Sequence, residues 1–259
     1  MTTSKARCID GHLSMRYAVI SDIHSNLEAL TAFLKKADTL GIGGIVCLGD
    51  IVGYNANPNE CIALIKEKNV RCIMGNHDSR AVGLEDTSGF NLYAKQAVLW
   101  TASQLTEENK VFLKDLPRTL FVDEKFLAIH GWVNDTDRYI LGAGDALENF
   151  ELMNKLAAPA ELCFFGHTHL PAIYSEGGEK NVLDEDDTLV LSEKENYLIN
   201  PGSLGQPRDS DPRASFLVYD SKKSTVTFYR IEYDIMAAAE KVIQAGLPRR
   251  LAERLKLGW

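Results

Sequence analysis

The sequence lacks any apolar stretch long enough to cross a membrane, and its first apolar run, residues 17–20, is too short for the core of a signal peptide. None of its five cysteines forms a CxxC pair, which disfavours a zinc knuckle or a redox pair. Cys47 and Cys163 fall within apolar runs, as buried thiols do. These absences predict a cytoplasmic protein with reduced cysteines and no membrane contact.

Basic charge is also scarce. The chain has 28 lysines and arginines against 36 aspartates and glutamates, a net charge of -8. Proteins that bind long nucleic acids normally present a basic face, so nucleic acid is an unexpected partner. A small anionic substrate remains compatible, because bound metal ions can reverse the field locally. The absence of a GxxxxGK[ST] motif excludes a P-loop enzyme.

Apolar runs and helical spacing alternate along the first half of the chain, which predicts a β-α-β-α-β order and a largely parallel sheet. The predicted strands are Tyr17–Ser21, Ile45–Leu48 and Val70–Met74; one helix carries Leu27, Leu30, Leu34 and Ala37, and Asn57 and Pro58 open the next.

The second half is predicted to mix helices, a hairpin and short strands. The predicted helices are Asn91–Leu105, Glu107–Leu116 with Thr106 as cap, Asp145–Leu156, Asp234–Ala245 and Pro248–Leu257; the strands are Thr119–Val122, Phe126–Ile129, Leu162–Phe165, Ser215–Tyr219 and Thr225–Arg230; residues 176–187 are a solvated loop. Residues 1–14 are polar and patternless, and we expect a disordered arm there. Residues 15–259, including the C-terminal helices, are expected to form one domain.

Metal-capable side chains follow five of these strands directly. They are Asp22 and His24, Asp50, Asn76 with His77 and Asp78, His130, and His167 with His169. Sites in open α/β sheets form where strands end, so these residues could converge. Two divalent ions would shield a phosphate ester, lower the pKa of bound water and orient its attack. Each short motif alone is also typical of a turn; their order together indicates a metal centre.

The series Asp22-Ile23-His24, Gly49-Asp50, Gly75-Asn76-His77-Asp78, His130-Gly131 and Gly166-His167-Thr168-His169 resembles the calcineurin-like metallophosphoesterases. The likeness runs from Tyr17 to Arg230, and it is to the compact, prokaryotic, phosphodiesterase-like branch without a cap domain. The resemblance implies an α/β (α+β) fold, a four-layer αββα sandwich of two mixed β-sheets flanked by helices.

The resemblance also implies roles for these residues. Asp22, His24 and His169 would bind one ion, and Asn76, His130 and His167 the other. Asp50 would bridge the two ions, with a hydroxide between them as nucleophile. His77 would contact the phosphate or protonate the leaving oxygen, with Asp78 orienting its ring. Imidazole and carboxylate ligands suit Mn, Fe, Zn or Ni better than Mg alone.

The sequence departs from the protein phosphatases of this family, which carry Arg-Gly shortly after the bridging aspartate. Here Asp50 is followed by Ile-Val-Gly-Tyr without an arginine. That departure disfavours a protein phosphatase and a symmetric dinucleoside tetraphosphatase. Arg208 and Arg213, near the end of the resemblance, could bind substrate phosphate or form surface ion pairs.

Without a cap, the metal edge should be open, bounded by the loops Tyr54–Asn59, Gly83–Asn91, Trp132–Gly144 and Ser203–Arg213. Tyr54, Phe90 and Trp132 in these loops could stack on a base or simply pack locally. We therefore predict hydrolysis of a small phosphodiester or nucleotide-type substrate. A phosphomonoesterase or protein phosphatase using the same site remains an alternative, and a nuclease or a non-catalytic scaffold is less favoured. The sequence does not determine the oligomeric state.

Overall fold

The computed structural model describes residues 15–158, 160–180 and 185–259. The predicted arm, residues 1–14, lies outside the described residues, as does Cys8. The described strands are β1 Arg16–Ile20, β2 Gly44–Cys47, β3 Arg71–Cys72, β4 Leu120–Val122, β5 Phe126–Ala128, β6 Leu162–Phe164, β7 Pro171–Ser175, β8 Gly178–Lys180, β9 Thr188–Val190, β10 Tyr197–Pro201, β11 Ala214–Asp220 and β12 Thr225–Ile231. The described helices are α1 Leu27–Ala37, α2 Pro58–Glu67, α3 Asn76–Ala81, α4 Leu92–Gln104, α5 Glu107–Lys114, α6 Ala143–Met153, α7 Ile235–Gln244 and α8 Arg249–Leu257.

The strands form two six-stranded mixed sheets, in the orders β3-β2-β1-β11-β12-β9 and β4-β5-β6-β10-β7-β8. β1, β2 and β3 run parallel, as their β-α-β-α-β order predicts. β5, β6 and β10 are the parallel strands of the second sheet. The predicted hairpin is confirmed, since β4 and β5 pair antiparallel.

Successive side chains along each strand face opposite sides of its sheet, and packing on both sides produces four layers. In β1, Ala18 and Ile20 pack with Leu30 and Phe33 of α1, on the outer face of the first sheet. The intervening Tyr17 and Val19 belong to a cluster between the sheets, which includes Phe126, Phe164 and Ile199 of the second sheet. On the far side, Leu127 and Cys163 pack against Phe150 of α6. Since successive strand residues face opposite ways, β1 and β6 are apolar on both faces. The αββα sandwich is confirmed.

Two local predictions need correction. The segment 176–187 was expected to be a loop throughout, but β8 lies within it and pairs antiparallel with β7. As β8 is the edge strand of its sheet, its polar sequence is compatible with pairing on one side only. The short helix α3 was not predicted, because its residues, Asn-His-Asp-Ser-Arg-Ala, show no apolar periodicity.

Among the described residues, no helix combines the length and apolarity that crossing a membrane requires. Four buried cysteines are free thiols, as predicted: Cys47, Cys61, Cys72 and Cys163.

Candidate metal centre

The predicted metal-binding residues lie together, at the ends of the parallel strands of the two sheets. Asp22 and His24 follow β1, Asp50 follows β2, and Asn76 begins α3 after β3. From the second sheet, His130 follows β5, and His167 and His169 follow β6. The carboxyl ends of both sets thus meet at one edge of the sandwich. All seven side chains are buried, none more than 6 % exposed.

One carboxylate oxygen lies between two histidine groups. Asp50 Oδ2 is 3.5 Å from His24 Nε2 and 3.4 Å from His130 Nε2. Asp50 Oδ1 accepts a hydrogen bond from the backbone N–H of His77 at 2.8 Å, which fixes the carboxylate. Asp50 therefore has the position that a carboxylate shared by two ions requires.

The group on the first side consists of Asp22, His24 and His169. Their potential ligand atoms lie within 4.8 Å of one another. Asp22 Oδ1 is 3.3 Å from His169 Nε2, and it is buried without a hydrogen-bond donor. Because a buried carboxylate oxygen normally accepts a hydrogen bond, this unsatisfied atom fits a cation at this position.

The group on the second side consists of Asp50, His130 and His167, whose potential ligand atoms also lie within 4.8 Å of one another. Asn76 joins it, with Oδ1 3.3 Å from His130 Nε2. A third grouping of the same kind combines His24, Asp50 and His77. His77 therefore lies close enough to serve as a ligand, although the sequence resemblance does not give it that role.

Backbone carbonyls orient the four histidines. The pairs are His24 Nδ1 with Val52 O (3.2 Å), His130 Nδ1 with Leu48 O (2.8 Å), His167 Nε2 with Asp137 O (2.9 Å) and His169 Nδ1 with Gln206 O. Because a carbonyl oxygen only accepts, the ring nitrogen facing it carries the proton. In the neutral form of each ring, the other nitrogen is unprotonated, as a metal ligand must be.

Burial and mutual charge shift the titration of these groups. Burial lowers the pKa of His167 to about 3 and raises the pKa of Asp22 to about 6. Burial opposes the ionised forms of Asp50 and His130 as well. Their mutual attraction outweighs it, so the pKa of Asp50 is well below its usual range and that of His130 rises to about 10. A divalent ion binding there would displace the proton that this pair holds.

Glycines beside the proposed ligands allow the loops to approach closely. A Cβ at Gly75 would overlap Asp50 Oδ1, and a Cβ at Gly166 would overlap the hydroxyl of Ser21. At both positions a neighbouring side chain lies where a Cβ would be, which explains why glycine precedes Asn76 and His167.

The prediction that Asp78 orients the His77 ring is wrong. Asp78 Oδ1 accepts from the backbone N–H of Val52, and Oδ2 accepts from that of Gly75, each at 3.0 Å. Asp78 therefore joins the loop after β2 to the start of α3. His77 Nδ1 is buried without a hydrogen-bond partner, and the ring packs against Tyr54 and Phe90 at centroid distances of 4.4 and 4.5 Å.

A cavity of about 250 Å³ opens beside Asp50. All four loops expected to bound the site contribute to its wall, through Tyr54, Gly89, Phe90, Asn91, Asp137, Tyr139 and Arg208. Of the two arginines that the sequence singles out, Arg208 lines this cavity.

Two other residues singled out in these loops are not in the cavity wall. The guanidinium of Arg213 is paired with Asp211 and Glu185, each at 2.7 Å, so the ion-pair alternative describes it. Trp132 is 3 % exposed and packs in the cluster around Phe150.

Sequence reasoning did not single out several residues of the wall, among them Arg80, Asp137 and Tyr139. Tyr139 stacks on His167 with a centroid distance of 4.2 Å and an interplanar angle of 13°. It lies in the loop that was predicted to bound the site, but no local pattern separates it from Trp132. Arg80 stands four residues after Asn76, and this spacing would have been informative had α3 been recognised.

Comparisons with known proteins cover most of the chain. The family model for the calcineurin-like phosphoesterase superfamily domain matches residues 15–224. An uncharacterised protein of Methanocaldococcus jannaschii is 43 % identical over 246 residues, which cover 93 % of this chain and 97 % of that protein. The crystal structure of a metallophosphoesterase from Sphaerobacter thermophilus has a TM-score of 0.82 and 36 % identity, covering 95 % of this chain and 100 % of the other. A hypothetical protein from Pyrococcus horikoshii OT3 has a TM-score of 0.76 and 22 % identity, covering 94 % and 98 % of the two chains, and at that identity the likeness concerns the fold alone.

Proposed function

The chain belongs to the calcineurin-like phosphoesterase superfamily and is a metal-dependent phosphoric ester hydrolase, and we propose that its substrate is a small phosphodiester or nucleotide-type ester. The observation that carries the proposal is the cavity beside Asp50, which combines a cationic side chain, Arg208, with the rings of Tyr54, Phe90 and Tyr139. A phosphate group attached to an apolar or aromatic group matches such a wall.

Two divalent ions are part of this proposal. Asp22, His24 and His169 would hold one, Asn76, His130 and His167 would hold the other, and Asp50 would contribute to both. The donor set of imidazoles and carboxylates suits Mn, Fe, Zn or Ni. When bound, such ions neutralise phosphate charge and lower the pKa of a coordinated water.

The chain's own residues then position the ester. Arg208 lines the cavity, so its guanidinium would donate a charge-assisted hydrogen bond to a phosphate oxygen of the bound ester. Arg208 would thus take the place of the arginine that family protein phosphatases carry shortly after the bridging aspartate and that this chain lacks after Asp50. The aromatic side chains would contact the ester group beyond the phosphate.

His77 would assist the leaving group. Burial lowers the pKa of His77 to about 4, so the ring of the free protein is neutral at pH 7. A neutral imidazole can donate its N–H to a phosphate or leaving oxygen. Transfer of a proton from the charged ring requires the negative charge of bound substrate to raise that pKa.

A substrate panel on metal-reconstituted protein tests the proposal. The panel compares kcat/KM for a bis-aryl phosphate, an aryl monophosphate, cyclic nucleotides, dinucleoside polyphosphates, a phosphopeptide and single-stranded DNA. We expect the small diesters to be preferred, since the net charge of -8 disfavours a long polyanion. A tenfold or greater preference for the phosphopeptide or the DNA would refute the small-substrate proposal, and a preferred monoester would refute the diester part alone.

Metal dependence is tested in the same assay. Chelation should abolish hydrolysis of every ester in the panel, and addition of manganese should restore it. Full activity in protein shown by elemental analysis to be metal-free would refute the role of the ions.

A further inference from the structure

Asp137 touches two of the side chains proposed to hold the second ion. Its Oδ1 accepts a hydrogen bond from Asn76 Nδ2 at 2.9 Å. Its backbone carbonyl accepts one from His167 Nε2 at 2.9 Å. Asn76 begins α3 and His167 follows β6, so one residue of a third segment connects ligands that come from different sheets.

Arg80 holds the carboxylate of Asp137 in place. Arg80 Nη2 is 2.9 Å from Asp137 Oδ2, and the arginine side chain is only 8 % exposed. Glu85 pairs with the other end of the guanidinium at 3.1 Å. Arg80 Nη1 also donates to the backbone carbonyl of Asn76 at 3.2 Å. The Asp137 carboxylate is thus fixed relative to the same turn of α3 that carries Asn76.

The loop itself is folded by local contacts. The backbone N–H of Asp137 donates to Asp135 Oδ1 at 2.9 Å. Its neighbour Arg138 lies over the ring of the buried Trp132, with its guanidinium carbon 3.3 Å from the ring centroid. These contacts hold the backbone of the loop on both sides of residue 137.

We propose that Asp137 is a positioning residue for the second metal ion, acting through Asn76 and His167. This inference rests on the proposed function, in which Asn76, His130 and His167 hold that ion. A side-chain amide can present either its oxygen or its nitrogen, and only the oxygen binds a cation. Because the carboxylate can only accept, it holds Nδ2 on its own side and leaves Oδ1 facing His130. The carbonyl of Asp137 likewise leaves Nδ1 of His167 free.

The first ion does not depend on Asp137. Its proposed histidines donate instead to the carbonyls of Val52 and Gln206, in other loops. The inference therefore predicts an asymmetry: loss of the Asp137 carboxylate should weaken one ion and spare the other. A general loosening of the fold would weaken both.

Metal binding to Asp137→Ala is the first measurement. Titration of the metal-free protein with Mn²⁺ by calorimetry, with elemental analysis of the loaded protein, should show the second ion bound about 10–100-fold more weakly. Electron paramagnetic resonance should show the spectrum of isolated Mn²⁺ in place of that of a coupled pair. Glu148→Gln is the matched control, since Glu148 pairs with Arg138 at 3.6 Å and is not among the residues lining the cavity.

An exchange of the two side chains is the second measurement. In Asn76→Asp, two carboxylates would face each other and the second ion should bind weakly. In the double variant Asn76→Asp with Asp137→Asn, the donor and acceptor are exchanged, and the second ion should be recovered to within about tenfold of wild type. A merely structural role for Asp137 would not produce this rescue.

The outcomes separate the inference from the proposed function. If wild type binds two ions and Asp137→Ala binds both as tightly, or loses both together, the inference is overturned and the proposed function stands. If the exchange fails to recover the second ion while each variant remains folded, the inference is also overturned. A wild-type protein that binds fewer than two ions overturns the proposed function and the inference with it.

Discussion

Most of the proposed ligands hold backbone conformations that ordinary residues avoid. Asp22, His24, Asp50, His167 and His169 have φ angles of 54°, 48°, 53°, 68° and 60°. Left-handed conformations at non-glycine residues cost about 1–3 kcal/mol each and persist where surrounding structure enforces them. Together with the burial of charged groups, these conformations lower the free energy of unfolding of the metal-free protein.

Asp22→Asn should therefore stabilise the metal-free protein. Burial raises the pKa of Asp22 to about 6, so its ionised form destabilises the folded state at pH 7. In the variant, the amide oxygen can still accept from His167 N, and the amide nitrogen can donate to His169 Nε2. We expect about 1–3 kcal/mol more stability in a chelator and a lower metal-induced gain in Tm.

Thermal unfolding with chelator and with Mn²⁺ measures both effects. Because the folded-state pKa of Asp22 is raised, its penalty is absent at low pH and grows as pH rises towards about 6. The advantage of the variant should accordingly shrink as pH falls below that value. A variant less stable than wild type in chelator at pH 7 contradicts the expectation.

Substitutions of Asp50 and of His77 should have different effects on metal content, because Asp50 is proposed as a ligand shared by both ions and His77 is not proposed as a ligand. Asp50→Ala should lose metal and activity together. His77→Ala should retain both ions and lose roughly 10²–10⁴ in kcat, the usual share of general acid–base assistance. Metal content measured beside kinetics distinguishes them, and the His77 effect should be smaller for esters with good leaving groups.

His77 offers the sharper outcome, since its ring also lies within ligand distance of His24 and Asp50. Loss of an ion from His77→Ala would make it a ligand, and the leaving-group role would then be wrong.

At the scale of elements, the segment after β10 decides which arginine lines the cavity. Its turn places Arg208 in the cavity wall, and Asp211 and Glu185 hold Arg213 outside it. Arg208→Met should lower kcat/KM by roughly 10–100-fold, because a charge-assisted hydrogen bond to the phosphate is lost. Arg213→Met is the matched control and should leave kcat/KM close to wild type while lowering Tm slightly.

Kinetics on one small diester, with metal content held equal, are sufficient for this comparison. Equal losses in the two arginine variants would show that the cavity does not distinguish Arg208 from Arg213.

At the scale of the whole molecule, the C-terminal helices pack against loops that line the cavity. Leu251, Ala252 and Leu255 of α8 share an apolar cluster with Tyr54 and with α4. The backbone N–H of Ser210, in the loop that carries Arg208, donates to the carbonyl of Gly258 at 2.8 Å. The helices therefore buttress two of the loops that line the cavity.

Deletion of residues 249–259 should lower both Tm and kcat/KM, the latter by roughly 10–100-fold, because small displacements of positioning residues are costly. Deletion of residues 1–14 is the control: the family match begins at residue 15, so Tm and kcat/KM should not change. Wild-type kinetics after the C-terminal deletion would contradict the proposed support, and would set the boundary of the predicted single domain before residue 249.

The sequence by itself determined the order of most strands and helices and the place of the metal-capable residues, while the four-layer sandwich was implied by the resemblance to a family. Each signal is local, because an apolar run that ends in a short polar motif marks the end of a strand. Parallel strands then bring those ends to one edge. The series from Asp22 to His169 could therefore be read without coordinates, and the structure gathers those residues around Asp50.

Only the tertiary structure decided which atoms face which. Asp78 binds two backbone N–H groups rather than His77, Arg208 rather than Arg213 enters the cavity, and Tyr139 rather than Trp132 lines it. Asp137 meets Asn76 across 61 positions of chain, a contact that no local spacing encodes. Such contacts depend on how irregular loops pack against distant strand ends, and irregular loops have no periodicity from which packing could be predicted.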